Sequence, residues 1–210
     1  MNTMREIVTK DGSLTFYNES YDEAYHSISG ALEEAQKKYI EPCQIQDGMA
    51  ILDIGFGLGY NVAMAVHSAK HLTIVSLEKD PSVFSLIQSI AVPLWFRPSY
   101  ALVQKAAAKR SYNDRDYGIR VIEGNAEESI KAVDVRFDAV FLDPFSPKNN
   151  PELWAEAFLR DVFARMKPCA RLSTYSCAGM LRRNLRSAGF EVVDGPIVGR
   201  RAPGTVGIKE

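Results

Sequence analysis

The 210-residue chain lacks the features that mark membrane, disulfide-stapled and metal-binding proteins. No apolar run approaches the roughly 20 residues that a membrane-spanning helix needs, and the first residues do not form a signal peptide. The three cysteines lie far apart, are odd in number and lack the spacing of metal ligands. We therefore expect reduced, buried cysteines, no metal and a soluble protein of the cytoplasm.

An excess of charge of either sign is also missing. The chain has 25 lysines and arginines against 26 acidic residues, and its formal net charge is −1. A nearly neutral protein has no global field that attracts nucleic acid or an anionic membrane. Any contact with RNA must therefore come from a local cluster of basic side chains.

What the sequence does contain is an alternation of short apolar runs with amphipathic stretches. The apolar runs cover 50–54, 72–77, 119–122, 137–142 and 170–175. The run over 50–54 is continuous where an exposed strand would alternate, which is typical of a parallel strand buried on both faces. The last two runs, between 190 and 208, meet without a helix and predict an antiparallel hairpin. The pattern predicts an α/β fold with a mostly parallel sheet.

We expect residues 1–45 to form a small N-terminal addition, which packs on one globular domain formed by residues 46–210. Asp11-Gly12 is a dipeptide that favours a tight hairpin, here between strands in 5–17. A helix is expected from about Asp22, with Tyr21 and Tyr25 on its apolar face and Pro42 at its end. Further along, the pattern predicts a polar loop over 111–118, one helix beginning at Pro151 and a strand beginning at residue 170.

The most informative stretch is 49–61, in which an apolar run ends in Asp53 and continues into Gly55, Gly57 and Gly59. Glycines at alternate positions after a strand permit a sharp turn and the close approach of a ligand. The further glycine of the dinucleotide fingerprint is missing, which disfavours a nicotinamide oxidoreductase. Asp53 suits a ligand that carries a positive charge. The alternative is a tight turn without a ligand.

Polar side chains follow three further strands. Glu78 ends the second strand, where an acid commonly binds ribose hydroxyls, and Asn125 and Asp143 follow the third and fourth. Because ligands bind beyond the carboxyl ends of parallel strands, we expect these residues to share one cleft with the glycines. Asn125 either faces an adenine amine or caps a helix. Phe145, beside Asp143, suits an acceptor that offers a flat base to stack and an amine to hold.

These motifs resemble the S-adenosylmethionine loop of class I methyltransferases. Together with Y-H-S at 25–27, L-D-P-F-S-P-K-N-N-P-E-L-W at 142–154 and A-G-M-L-R-R-N-L-R-S-A-G-F at 178–190, they resemble one family in particular. It comprises the methyltransferase domain of the bifunctional tRNA 5-methylaminomethyl-2-thiouridine enzyme and its stand-alone relatives without the flavin domain. Two positions depart from the family, Asn125 for an acid and Pro144 for a glycine.

The resemblance implies methylation of the aminomethyl group on the tRNA wobble uridine, with S-adenosylmethionine as donor and a separate enzyme supplying the aminomethyl precursor. Asp143 would be the catalytic carboxylate. The implied cofactor-binding residues are Asp53, Gly55, Gly57, Gly59, Asn61, Glu78, Asn125, Tyr25, His26 and Ser27. The substrate-binding residues are Phe145, Lys148, Arg182, Arg183 and Arg200, of which the last four would form a basic rim for tRNA.

Two other functions remain open from the residues. A class I methyltransferase for a small-molecule amine would use the same donor site without a basic rim. An inactive module that binds S-adenosylmethionine for regulation would keep the glycine loop and Glu78 but would not need Asp143.

Overall fold

The computed structural model describes residues 4–27, 29–198 and 201–210. The strands are β1 (Met4–Val8), β2 (Leu14–Asn18), β3 (Glu23–Ala24), β4 (Ala50–Ile54), β5 (Leu72–Glu78), β6 (Ser111–Asn113), β7 (Tyr117–Glu123), β8 (Phe137–Leu142), β9 (Met166–Thr174), β10 (Glu191–Asp194) and β11 (Thr205–Ile208). The helices are α1 (Ala31–Ala35), α2 (Glu41–Cys43), α3 (Tyr60–Ser68), α4 (Ser82–Ser89), α5 (Arg97–Lys109), α6 (Ala126–Ser129), α7 (Glu156–Arg165) and α8 (Gly179–Ser187). A π-helical turn, Gln36–Ile40, joins α1 to α2, and 3-10 turns cover Ile130–Ala132 and Pro151–Trp154.

The main sheet has the strand order β10-β11-β9-β8-β4-β5-β7-β6. Neighbours from β9 to β7 are parallel, whereas β6 and the β10–β11 hairpin are antiparallel. The chain proceeds from β4 to β5 on one side and later returns to β8 on the other, so the strand order reverses between β4 and β8. Ligands of open α/β sheets bind at such a reversal. The predicted α/β fold with a terminal antiparallel hairpin is confirmed.

Both faces of the sheet are covered, which explains the continuous apolar runs. Ile51 belongs to the hydrophobic cluster that includes α3 and α5, whereas Leu52 and Ile54 belong to the cluster that includes α7 and α8. All three side chains are completely buried. Within the three described ranges, no helix has the length and apolar character needed to cross a membrane.

The N-terminal hairpin forms as predicted, but the helix after it begins at Ala31, not near Asp22. Asp22 has a left-handed backbone with φ 54°, and the next two residues form β3, which pairs with β2. The side chain of Asn18 accepts hydrogen bonds from the backbone N–H of Ser20 and Tyr21 and so fixes a turn at this point. Tyr21 therefore lies outside the helix. Ile28, within the predicted helix, falls outside the described residues.

The start of α1 is set by a residue about 20 positions away. Asp11, in the hairpin turn, accepts hydrogen bonds through Oδ2 from the backbone N–H of Leu32 (3.1 Å) and Glu33 (3.0 Å). A helix N-terminus leaves such N–H groups without partners inside the helix. Gly30 leaves room for this contact, since a Cβ there would lie 2.1 Å from Asp11 Oδ2. A capping residue so remote in the chain gives no local sequence signal.

Other predicted boundaries were also wrong. The helical segment ends at Cys43, one residue beyond Pro42, and the carbonyl of Lys38, four residues before the proline, accepts from the hydroxyl of Ser173. The stretch predicted as a polar loop over 111–118 forms β6 and the start of β7, which pair as a hairpin. The division of the chain at residue 45 stays a prediction, although α1 packs into the same hydrophobic cluster as α3.

Near the C-terminus, the helix predicted from Pro151 is broken at Ala155, whose ψ of 149° is extended. The break turns Trp154 inward, where its Nε1 donates to the backbone oxygen of Phe145 at 2.9 Å. Strand β9 begins at Met166, earlier than expected. Only Cys43 is fully buried among the cysteines, and Cys169 is exposed, contrary to expectation.

Candidate active site

A cavity of about 320 Å³ lies beyond the carboxyl ends of the parallel strands, at the reversal of strand order. Its floor is the loop after β4, and its roof is the N-terminal segment 21–27. We call the part formed by the ends of β4, β5 and β7 the donor end. We call the part around Asp143 and Phe145 the acceptor end. The volume lies within the roughly 300–1,000 Å³ usual for small-molecule sites.

The three glycines have different positions. Gly55 and Gly57 line the cavity, whereas Gly59 does not. Gly55 has φ 89°, and a Cβ there would lie 2.7 Å from the backbone oxygen of Asp143, so the two strand ends meet only because the side chain is absent. Gly59 has φ 76°, and a Cβ there would lie 2.4 Å from Val103 of α5. Gly59 therefore permits helix packing behind the loop.

Glu78 lies at the end of β5 and lines the donor end. Its Oε2 accepts from the backbone N–H of Gly57 and its Oε1 from that of Asp80, both at 2.8 Å. Burial raises the pKa of its carboxyl, and the two backbone donors oppose that rise. These bonds hold the carboxylate beside the loop, where its remaining lone pairs suit the paired hydroxyls of a ribose.

Asn125 also lines the donor end. It precedes α6, but its side chain makes no capping hydrogen bond to that helix. The helix-cap alternative is therefore not seen, and the amide is available to a ligand.

Asp53 lies behind the glycine loop and does not line the cavity. It is completely buried, and neither carboxylate oxygen makes a hydrogen bond of ordinary geometry within the described chain. Burial raises its pKa well above the ordinary value, with the hydroxyl of Ser76 acting in the opposite direction. A direct contact between Asp53 and the ligand stays a prediction.

Asp143, at the end of β8, has both carboxylate oxygens held. Tyr39 donates its hydroxyl to Oδ1, and the Nδ2 of Asn61 donates to Oδ2 at 2.8 Å. Burial raises the pKa of Asp143 to about 7, and the charge of Glu34 adds to the rise while the two donors oppose it. Asn61, expected to bind the cofactor, does not line the cavity and instead orients Asp143.

Aromatic rings form the wall beside Asp143. The ring centroid of Phe145 lies 4.7 Å from that of Tyr21 and 5.0 Å from that of Tyr25. Tyr25 also covers the loop, because its Cδ1 lies 3.4 Å from the position of a Cβ on Gly57. The acceptor end therefore has a flat apolar surface next to a carboxylate.

Hydrogen bonds tie the loop that carries Phe145 to the N-terminal segment. The backbone N–H of Ser146 donates to Glu23 Oε2 at 2.9 Å, and Asn149 Nδ2 donates to the backbone oxygen of Tyr21 at 2.7 Å. The carbonyl of Pro144 accepts from the hydroxyl of Tyr175 at 3.0 Å.

Sequence reasoning missed several residues near Asp143. Glu34 and Lys38 line the cavity and Tyr39 contacts Asp143, yet all three lie on the helical segment that was read as a simple addition. Charged side chains four positions apart, next to buried Ala31 and Ala35, were the available signal. His26 and Ser27 line the cavity as expected.

The residues of the predicted basic rim have different environments, and the rim itself stays a prediction. Arg182 bonds Asp194 at 2.5 Å and Thr205 at 3.2 Å, so it joins α8 to the terminal hairpin. Lys148 and Arg183 are exposed and do not line the cavity, and Arg200 lies outside the described residues. Among residues that the structure describes, no group of His, Cys, Asp and Glu has the arrangement of a metal site.

A mostly parallel sheet with a glycine loop and a ribose-type acid at the reversal of strand order defines the class I methyltransferase fold. The sequence profile of a family described as S-adenosyl-L-methionine-dependent methyltransferase matches residues 94–210, and the chain belongs to this family. The resemblance noted from the motifs is thereby confirmed, and the cofactor is S-adenosylmethionine.

Individual relatives agree with this family assignment. An uncharacterized protein of Methanocaldococcus jannaschii, MJ0670, is 31% identical over 97% of this chain and 59% of its own length. The tRNA 5-methylaminomethyl-2-thiouridine biosynthesis bifunctional protein MnmC of Paraburkholderia xenovorans is 29% identical over 90% of this chain and 34% of its own. The chain thus spans less than two thirds of either relative.

Two solved structures resemble this chain to different degrees. The crystal structure of MNMC2 from Aquifex aeolicus matches 99% of this chain and 70% of its own with a TM-score of 0.87 and 31% identity. Spermidine synthase from Thermotoga maritima matches with a TM-score of 0.64 and 13% identity, covering 100% of this chain and 69% of its own, a likeness of fold alone.

The residues present fit this cofactor. Gly55, Gly57 and Glu78 would hold its ribose and sulfonium regions, with Asn125 at the adenine. The Nε2 of His26 is buried on the cavity wall without a hydrogen-bond partner in the described chain, as expected of a site that completes its bonding with a ligand. When bound, S-adenosylmethionine supplies an electrophilic methyl group on a positively charged sulfur.

Proposed function

We propose that the protein methylates the primary amine of an aminomethyl group on the wobble uridine of tRNA. The observation that carries the proposal is Asp143, a carboxylate fixed by Tyr39 and Asn61 at the cavity wall beside the aromatic ring of Phe145. The names of the bifunctional relatives support tRNA as the acceptor.

An alkyl ammonium, with a pKa of roughly 10 in water, is mostly protonated at neutral pH and has no free lone pair. Asp143 as carboxylate accepts a hydrogen bond from the amine, orients the nitrogen and takes up its proton. The pKa of Asp143, about 7, suits this role, because the group is ionised just above neutral pH and still basic enough to accept. Its oxygens cannot rotate away, since each accepts a bond from a buried donor.

Phe145 would contact the face of the uracil ring. It is packed by Tyr21 and Tyr25 and held by the hydrogen bonds between its loop and the N-terminal segment. Stacking on an aromatic ring is the usual way in which proteins hold an unpaired base of RNA. The proposal further requires that a separate enzyme supply the aminomethyl group.

The test uses tRNA that carries the unmethylated aminomethyl group. After incubation with S-adenosylmethionine and the protein, nucleosides are analysed by mass spectrometry. We expect one added methyl on the wobble nucleoside with the native chain and none with Asp143→Ala. No transfer to any tRNA by a protein that binds S-adenosylmethionine would contradict the proposal.

A small-molecule amine is the second candidate acceptor. It is favoured by the acidic lining of the cavity and by the position of Arg182, which is engaged within the fold. Equal turnover of free aminomethyluridine and of tRNA would support this candidate. Tight cofactor binding without methyl transfer to either acceptor would instead support the inactive regulatory module.

A further inference from the structure

The cavity wall is mostly acidic, whereas one end of the cofactor S-adenosylmethionine carries a negative charge. The described lining residues that carry a charge are Glu23, Glu34, Lys38, Glu78, Lys79, Asp80, Glu127, Asp143 and Glu152. Seven of them are acidic and two are lysines. The acidic groups suit the sulfonium and the amine, but the donor also bears an α-carboxylate. Lys79 is exposed, whereas the side chain of Lys38 is only 6% exposed.

Lys38 forms a buried ion pair one helical turn from its partner. Its Nζ donates to Glu34 Oε1 at 2.5 Å, and Glu34 Oε2 accepts from the backbone N–H of Ser27 at 2.8 Å. Within the described ranges this is the one hydrogen bond that Nζ makes, so two of the three ammonium protons remain for a ligand. Burial works against the charge of Glu34, but Lys38, followed by His26, brings its pKa below the ordinary value.

His26 completes a set of three polar side chains on this part of the wall. Its Nδ1 lies 3.8 Å from Glu34 Oε2, and its buried Nε2 has no partner among the described residues. Burial lowers the pKa of His26, with the charge of Glu34 opposing, so the ring is neutral at pH 7 and offers one donor and one acceptor.

The position of the set follows from the strand order. Asn125 and Glu78 line the cavity beyond β7 and β5, at one side of the glycine loop, where they would hold the adenosine part of the donor. The rest of the donor must then extend over β4 toward β8 and the N-terminal helix. Glu34 and Lys38 line the cavity there, close enough to Asp143 for their charges to affect its pKa.

We propose that Glu34, Lys38 and His26 form the subsite for the α-amino-acid end of the methyl donor. Lys38 donates to the α-carboxylate, and Glu34 accepts from the α-ammonium. A zwitterion laid against an ion pair brings opposite charges together at both ends, which offsets the cost of keeping the pair buried. The inference rests on the cofactor and not on the identity of the acceptor.

The test compares ligands that differ only at this end. Calorimetry would measure the affinity of S-adenosylhomocysteine, which has the amino-acid end, and of 5′-methylthioadenosine, which lacks it. We expect Lys38→Met and Glu34→Gln to weaken the first ligand about 10- to 100-fold, the loss typical of a hydrogen bond to a charged group, and the second less than about threefold. Equal losses for both ligands would overturn the proposal.

Matched controls lie next to each residue on the same helical segment. Lys37→Met and Glu33→Gln remove the same charges from exposed positions and should change neither affinity. If Lys38 or Glu34 instead holds the acceptor, the KM for the acceptor will rise while the affinity for S-adenosylhomocysteine stays the same, and the proposal fails.

Breaking a buried ion pair destabilises a protein, so a second test uses the native chain and does not depend on the folding of the variants. Decarboxylated S-adenosylmethionine lacks only the carboxylate assigned to Lys38. It should bind the native chain at least about tenfold more weakly than S-adenosylmethionine, and equal affinity would contradict the assignment. No acceptor is present in these measurements, so a failure of the tRNA proposal would leave their result unchanged.

Discussion

The donor end and the acceptor end of the cavity are assembled from different parts of the chain. The donor end comes from the ends of three neighbouring strands, with Gly55, Glu78 and Asn125 each placed by the strand before it. The acceptor end combines Asp143 and its loop with Tyr21, Tyr25 and Tyr39, which lie outside the main sheet. The donor end is therefore a property of the sheet, whereas the acceptor end depends on how the N-terminal segment packs over it.

The two ends also have different chemical requirements. A bound nucleoside needs a fixed loop and one oriented carboxylate, and both arise within the sheet. The acceptor needs a carboxylate of controlled basicity, and the groups that control it, Tyr39 and Glu34, belong to the N-terminal helical segment. Substitutions of Asp143 and of Glu78 should therefore affect different measured quantities.

The largest effect is expected at the acceptor end. Asp143→Ala should lower kcat by about 10²–10⁴-fold, because it removes the group that accepts the amine's proton. The affinity for S-adenosylhomocysteine should change less than about threefold, since the donor end is untouched. Single-turnover kinetics and calorimetry would measure the two quantities. Asp134→Asn, at an exposed position, is the control.

At the donor end, Glu78→Gln should weaken binding of S-adenosylhomocysteine by about 10- to 100-fold, the loss typical of a hydrogen bond to a charged group. The rate of methyl transfer at saturating donor should fall much less. Glu123→Gln, on an exposed side chain paired with Arg110, should leave both unchanged. If Glu78→Gln lowered kcat without weakening the binding of S-adenosylhomocysteine, the two ends would not have separate functions.

A smaller and more specific effect is expected for Tyr39→Phe. The Tyr39 hydroxyl stabilises the ionised form of Asp143, so its removal raises the pKa of that carboxyl above about 7. Since the ionised form is the active one, activity is lost as pH falls through this pKa, and the acid limb of kcat/KM against pH should move to higher pH. Tyr112→Phe, on the β6 strand, is the control. An unmoved limb would show that Tyr39 does not set this pKa.

The smallest effect concerns the surface outside both ends. Arg183→Ala and Lys148→Ala should each raise the KM for tRNA by a few-fold. Each should also reduce the slope of the logarithm of tRNA affinity against the logarithm of salt concentration by about one, as expected for the loss of one phosphate contact. The KM for a free nucleoside should stay the same. If tRNA binding proves insensitive to both changes and to salt, a small-molecule acceptor is favoured.

The sequence predicted the donor end better than the acceptor end for a physical reason. A buried parallel strand gives a continuous apolar run, and its end is marked by the next polar residue, so Glu78 and Asn125 could be placed by position alone. Asp53, at the end of a strand, and Asn61, at the start of a helix, were also expected to bind the cofactor, but the contacts of each side chain depend on neighbouring elements. Asp53 is completely buried, and Asn61 donates a hydrogen bond to Asp143.

The N-terminal segment was predicted poorly because its contacts are remote in sequence. Tyr21 and Tyr25 fit a helical spacing, yet they form a roof over Phe145, because Asp22 turns the chain and Asp11 delays the helix until residue 31. The arginines of α8 formed an apparent RNA-binding cluster, but Arg182 is drawn to Asp194 on the terminal hairpin.

The sequence by itself determined the α/β sheet, the glycine loop and the acids that follow its strands, because apolar runs and turn residues are patterns of residues close together in the chain. Only the tertiary structure decided that Tyr39 and Asn61 fix the two oxygens of Asp143 and that Lys38 and Glu34 face the cavity. Those contacts form where an N-terminal helix meets the carboxyl edge of the sheet. Their partners lie from 4 to 104 positions apart in the chain, and the long-range ones exist only after both elements have packed.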